Sequence, residues 1–218
     1  MQKKMPNNCV IIGDIKESRN LNNWQNVFKE LEKTLTEING KFSNIIVVNF
    51  TPTVGDEFQG SIAIPETAIE IYNFIRSRLQ VNIYCGIGIG NIEKPFTNEM
   101  GMRGTAFYRA REALDLCKKI KRNIFIKSAD VANLTDNTIN TLLYFIEVLE
   151  NSWTKRQREI ASYYRLHPDY THEQLSTYFN VSRQTITKCL KSTHWEVIKQ
   201  GESIAKAIIK GNQKWLPK

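Results

Sequence analysis

The chain has 218 residues, 41% hydrophobic and 24% charged, which is enough to bury a core in one or two domains that fold in water. No apolar run approaches the roughly 20 residues of a membrane span, the basic N-terminus leads into too short an apolar run for a signal peptide, and the four scattered cysteines have neither zinc nor disulfide spacing. A cytoplasmic protein with no membrane partner is expected, and its net charge of +8 is uneven: residues 152–218 hold 12 Lys and Arg against 5 Asp and Glu, whereas residues 1–151 hold 18 against 17.

The first predicted element is a strand over Cys9–Ile12, closed by Gly13 and Asp14. A long amphipathic helix follows, with Leu21, Trp24, Val27, Phe28, Leu31, Leu35 and Ile38 recurring every three or four residues up to Asn39 and Gly40. Two β-rich runs, Ile45–Phe50 and Phe58–Ile64, then flank a turn that contains Gly55, Asp56 and Glu57. Pro65 closes this hairpin, and Ala68, Ile71, Tyr72, Ile75 and Leu79 mark one face of a second helix. The run Val81–Gly90 is the next strand, with glycines at 86, 88 and 90 alternating inside it. That spacing differs from a dinucleotide fingerprint, in which the glycines open a helix.

The order to this point is β-α-β-β-α-β, the split arrangement of ferredoxin-like and palm folds, in which the first strand and the middle hairpin are neighbours. That topology predicts that Asp14 meets Asp56 and Glu57. Carboxylates on adjacent strand ends are the chemistry that holds Mg²⁺ or Mn²⁺ with nucleotide phosphate oxygens; ordinary hairpin turn chemistry accounts for the same residues equally well. After Gly104 a third helix runs to about Cys117. Its Arg109 and Arg111 either meet a phosphate or pair with Glu112 and Asp115 at the surface. The basic cluster Lys118–Asn123 leads into a short strand, Ile124–Ile126. Residues 128–151 read as a helical linker in which Asp136 caps a helix carrying Ile139, Leu142, Leu143, Ile146 and Leu149.

The last third has a different pattern. Thr154 opens one helix, and Pro168-Asp169-Tyr170 breaks it. Thr171 and Gln174 stand in capping-box spacing at the start of a short second helix. Asn180-Val181-Ser182 is a turn, with Asn180 suited to a left-handed conformation, and Ser182 caps a helix from Arg183 to Thr193. This is the helix-turn-helix pattern. Leu175, Val181, Ile186 and Leu190 are placed to pack inward. The outward positions Ser182, Arg183, Gln184, Thr185, Thr187, Lys188 and Lys191 form a candidate DNA-reading face: Arg and Gln bond base edges in pairs, and Lys and Thr suit phosphates. A three-helix bundle for protein contact would show the same inward pattern, but here charge and motif both point to double-stranded DNA. His167, His172 and His194 lack ligand spacing.

Val10–Arg19, Thr53–Gly60, Tyr84–Gly90 and Gly104–Ala113, with the C-terminal helices, carry a resemblance to the SatD family over most of the length. Residues 9–126 are more distantly similar to the palm-type nucleotide cyclases, including the diguanylate (GGDEF) cyclases. Val54-Gly55-Asp56-Glu57-Phe58 stands where Gly-Gly-Asp/Glu-Glu-Phe stands in those enzymes, with Val54 in place of the first glycine. Asp14 matches their first-strand metal position. That likeness implies Asp14, Asp56 and Glu57 as metal ligands, with Glu57 the candidate catalytic group, and Gly55, Arg109 and Arg111 as nucleotide-binding residues.

The expectation is therefore an α+β chain in three parts: a palm-like domain over 1–127, a helical linker over 128–151 and a helix-turn-helix domain over 152–218. The expected function is a bacterial DNA-binding transcriptional regulator, acting as a homodimer, whose palm domain binds a nucleotide or metal-nucleotide signal. The rival is a Mg²⁺-dependent nucleotide cyclase or nucleotidyltransferase targeted by its helix-turn-helix; a third reading is an interaction module with degenerate sites.

Overall fold

Every residue of the first strand after Asn8 is buried, which requires neighbours on both of its edges and both of its faces. The computed structural model, which describes residues 8–18, 21–79, 81–93 and 103–211, supplies them. Arg19 and the last seven residues, 212–218, lie outside the described residues. Strand β1 (Asn8–Ile15) is followed by α1 (Trp24–Lys41), β2 (Ile46–Pro52), β3 (Glu57–Ile62), α2 (Ala68–Arg78), β4 (Ile83–Gly90), α3 (Thr105–Ile120) and β5 (Ile124–Lys127). The five strands form one sheet in the order β2-β3-β1-β4-β5, with β1 antiparallel to both neighbours and β5 parallel to β4. Helices α4 (Leu134–Asn151), α5 (Lys155–Leu166), α6 (His172–Phe179), α7 (Arg183–Ser192) and α8 (Trp195–Ile209) complete an α+β fold. Among the described residues no helix is long and apolar enough to cross a membrane.

The period of two along β1 divides the core. Cys9, Ile11 and Ile15 pack with α1 and α2 on one face of the sheet. Val10 and Ile12 pack with Ala106, Ala110 and Leu114 of α3 on the other. The alternating glycines of β4 explain how closely α3 approaches. A Cβ at Gly86 would lie 2.2 Å from the Ala110 carbonyl oxygen, and one at Gly88 would lie 2.0 Å from that of Ala106. The glycines let helix backbone rest directly on strand backbone.

Both edges of the sheet are closed by side chains from helices, which satisfies backbone groups that would otherwise be stranded. On β2, Phe50 N–H donates to Asn39 Oδ1 at 2.8 Å, and Asn39 Nδ2 donates to the Phe50 carbonyl at 2.9 Å. On β5, Asn140 of α4 makes the same double bond to Ile126, both at 2.8 Å. Glu147 and Asp136 accept from the backbone N–H groups of Asn123 and Ser128, each at 2.9 Å. Helix α4 thus runs along the outer edge of the sheet. It is capped by Asn133, whose side chain accepts from Asp136 N. Asp136, the expected cap, lies one turn inside and holds Ser128 instead.

Ile139 and Leu143 of α4 and Ala205 of α8 belong to the sheet's main core. Ile146, Trp153, Ile160, Leu175, Ile186, Leu190, Trp195 and Ile198 form a second core among the C-terminal helices. Helix α8 had no counterpart among the sequence expectations. Its apolar positions Trp195, Ile198, Ala205 and Ile208 recur at helical spacing and carried the signal. Between the two cores lies a buried polar junction. Glu150 accepts from Arg165 at 2.8 Å and from Arg76, and Glu202 accepts from Arg165 and from Asn73, both at 2.9 Å.

Candidate functional site

The antiparallel register places Asp14 directly opposite Glu57, and Gly13 opposite Phe58. Gly13 is required there, because the Phe58 ring occupies the space a Cβ would take, 2.0 Å away. Phe58 faces α1 and α2 with the main core. Its neighbour Glu57 therefore faces α3, as Asp14 does. Asp56 closes the group from the turn, where its carbonyl accepts from Ile15 N at 3.2 Å. The turn itself depends on Gly55, whose φ of 76° lies in the left-handed region. The structure thus brings Asp14, Asp56 and Glu57 to one end of the sheet.

What meets them is α3. Lys118 Nζ donates to Asp14 Oδ2 at 2.6 Å and to Glu57 Oε1 at 3.4 Å. Arg111 Nη1 donates to Glu57 Oε2 at 2.7 Å. Ser18 Oγ donates to Asp56. Arg111 and Lys118 are seven residues apart, two helical turns, and so share a face; that spacing is the sequence signal that sets Lys118 apart from the rest of the basic run Lys118–Asn123. Burial pushes the Asp14 carboxyl above the usual carboxylate range; Lys118 pulls it back, while Asp56 and Glu57 add to the rise. Burial also works against the Lys118 ammonium, but its bond to Asp14 and the two nearby negative charges hold its pKa above the ordinary lysine value.

This arrangement is a partly neutralised carboxylate cluster, with Asp14 and Glu57 paired to Lys118 and Arg111 and Asp56 held by the Ser18 hydroxyl. Lys118 spans Asp14 and Glu57, and among the described residues no group of three or more His, Cys, Asp or Glu side chains is arranged to hold a metal ion. A divalent cation at this place would have to displace the Lys118 ammonium. The donor set as it stands therefore does not fit a metal.

Arg109 is not brought to the cluster. Its Nη1 donates to the Ile89 carbonyl at 2.7 Å and its Nε to Asp130 at 2.9 Å, at the end of β4 that pairs with the start of β1. Neither Arg109 nor Arg111 pairs with Glu112 or Asp115; Glu112 is bound by Lys127 instead. Val54 is 83% exposed, so its side chain faces solvent and fills no pocket.

The second candidate site is on α6 and α7. Thr171 caps α6 in a reciprocal capping box with Gln174, Asn180 ends it with φ 50°, and Ser182 caps α7 by accepting from Thr185 N at 3.1 Å. Ile186 and Leu190 turn inward onto Leu175, and Val181 packs against the same cluster. Arg183, Gln184, Thr185, Thr187, Lys188 and Lys191 are all exposed. Thr187 Oγ1 lies 3.0 Å from His172 Nδ1, while Arg183, Lys188 and Lys191 form no ion pair among the described residues.

The model of the SatD family matches residues 8–209. No curated protein matches the chain. Among solved structures, the chain is similar to the crystal structure of a regulator of polyketide synthase expression from Bifidobacterium adolescentis. The identity is 12% over 94% of this chain and 84% of that one, with a TM-score of 0.27, a level that supports no functional argument.

Proposed function

The chain belongs to the SatD family, and from that premise we propose that it is a bacterial DNA-binding transcriptional regulator. Helix α7 is its reading element, and the sheet part, a palm-like domain over about 1–127, receives a nucleotide signal. The observation that carries the proposal is the exposed face of α7. Two cations and a glutamine, Arg183, Gln184 and Lys188, project from the first turns of a helix held at a defined angle by a capped three-residue turn. Helices of this kind enter the major groove with their N-terminal residues on base edges. The basic excess of residues 152–218 supports the same reading, and readers of this type act as dimers on paired half-sites.

The test is selection of duplexes from a random-sequence pool by the full-length chain, followed by affinity measurements on the enriched and a scrambled sequence. Enrichment of a paired motif supports the proposal; a pool that stays random counts against it.

The enzyme reading rests on the register that joins Asp14 to Glu57. With Lys118 between them the cluster would have to be remodelled before Mg²⁺ and a nucleotide could enter, so binding without turnover is the favoured outcome. Incubation with Mg²⁺ or Mn²⁺ and the four nucleoside triphosphates separates the two readings: a cyclic or oligomeric product would promote the enzyme over the regulator.

A further inference from the structure

An open cleft of about 1070 Å³ separates the end of the sheet from the C-terminal helices. Lys16, Arg76 and Ser77 line it from the sheet side; Lys155, Arg158 and Tyr178 line it from α5 and α6. It is distinct from the carboxylate cluster, none of whose three acids lines it.

The charges in the cleft divide into those already satisfied and those left open. Arg76 is held by Glu150, and Arg78 by Glu37. Lys16, Lys155 and Arg158 form no ion pair among the described residues. Lys16 donates to the Asn123 side chain and lies 4.1 Å from the centre of the Tyr84 ring, and Arg158 donates to the Glu150 backbone carbonyl at 3.0 Å. Glu17 and Glu30 on the α1 side also line the cleft and form no ion pair among the described residues, while Glu159 of α5, which lines it too, is held by Arg156; the unpaired cations Lys155 and Arg158 thus lie on the wall formed by α5. Two buried donors lining the same cleft, Ser77 Oγ and Arg165 Nε, have no hydrogen-bond partner among the described residues, and such groups in a native fold call for a partner. Tyr178 stacks on Tyr163 with ring centroids 4.0 Å apart and is nevertheless 59% exposed.

We propose that this cleft is a binding site for a phosphorylated small molecule of nucleotide size, its phosphates on Lys155 and Arg158 and its planar ring on Tyr178. Unpaired cations bind phosphate without a metal, and an exposed aromatic face already backed by a second ring is a stacking platform for a planar base. The size suits such a ligand, since small-molecule sites run to roughly 300–1,000 Å³. The walls come from both parts of the chain, so an occupant would favour the arrangement in which they face one another. The proposal goes beyond the regulatory reading and does not depend on DNA binding.

The experiment is a calorimetric titration of the full-length chain with ATP, GTP and inorganic pyrophosphate, each in EDTA and in Mg²⁺, with tryptophan fluorescence as a second readout because Trp153 lines the cleft. ATP or GTP is expected to bind in EDTA and pyrophosphate at least tenfold more weakly. Lys155→Ala with Arg158→Ala should weaken nucleotide binding tenfold or more, and Tyr178→Ala should weaken nucleotide while sparing pyrophosphate. Lys155 and Arg158 are exposed, so these variants keep the fold. Asp14→Asn with Asp56→Asn should leave EDTA binding unchanged. No nucleotide binding in EDTA, or binding untouched by the Lys155 and Arg158 changes, would overturn the site. Binding that needs Mg²⁺ and disappears with the Asp14 and Asp56 changes would also overturn it, and would place the nucleotide at the carboxylate cluster.

Discussion

Arg76 on the sheet-side helix α2 and Glu150 at the end of α4 form an ion pair in which the carboxylate is only 3% exposed. Arg165 of α5 shares the same Glu150 oxygen, so one carboxylate ties α2 to α4 and α5. Burial alone would raise the Glu150 pKa, but the two guanidiniums hold it down to about 2. A carboxyl depressed in this way contributes stability that is complete above its unfolded value of about 4.3 and is lost as pH falls through about 2.

Glu150→Gln should therefore cost about 3–5 kcal/mol, because it leaves the buried Arg76 guanidinium without a carboxylate and Arg165 with Glu202 alone. Urea unfolding at neutral pH checks this. The gap between wild type and variant should narrow as pH drops from about 4 toward 2; a constant gap would show that packing, and not charge, accounts for the loss.

Asn140→Leu should destabilise by about 2–4 kcal/mol, since the N–H and C=O of Ile126 both lose their partner at the buried edge of β5 and each stranded group costs about 1–3 kcal/mol. Amide hydrogen exchange at Ile126 should accelerate more than at Ile87 in the neighbouring strand. Unchanged exchange at Ile126 would mean that the side-chain bond does not close the edge.

Lys118→Ala should open the carboxylate cluster to a cation. Without the ammonium, Asp14 and Glu57 face one another with only Arg111 to offset them. Mn²⁺ at a hundredfold excess over its Kd would then stabilise by about 2.7 kcal/mol, a rise in Tm of roughly 5–11 °C for a chain of this size, while the wild type shifts less. Adding Asp14→Asn and Asp56→Asn should remove the effect. Equal shifts for wild type and variant would show that Lys118 does not guard the cluster.

Arg183→Ala is expected to cost about 1–3 kcal/mol on the preferred duplex and little on random DNA, because a base contact carries sequence information. Lys191→Ala should weaken both by similar amounts, as a phosphate contact does. Equal losses on both duplexes after Arg183→Ala would remove Arg183 from base reading.

The strand and helix order up to β5 was legible because each element carries its own period, two for β1 and three to four for α1 and α2. The meeting of Asp14 with Glu57 followed from that order, since the hairpin must lie beside β1. Its neutralisation did not: a basic run such as Lys118–Arg122 reads the same whether it is solvated or turned onto a carboxylate, and only the two-turn spacing from Arg111 to Lys118 hinted at it. Arg109 and Arg111 are two positions apart on a helix and so point to different faces, a geometric fact that separates them more firmly than composition does. The roles of Asp136, Asn140 and Glu147 were illegible, because polar residues on a helix reveal nothing of a sheet edge until the topology brings one alongside. The caps at Thr171 and Ser182 were legible, being local chemistry that needs no tertiary contact.

The most direct measurement is the salt dependence of duplex binding by the full-length chain. If α7 and the basic residues around it contact about six phosphates, log K falls against log[salt] with a slope near −5, and Lys188→Ala with Lys191→Ala reduces that slope by about two. A steep slope that loses this increment in the double variant is the predicted result. Absence of binding at low salt, or a slope the double variant leaves unchanged, would contradict the assignment of α7 as the reading helix.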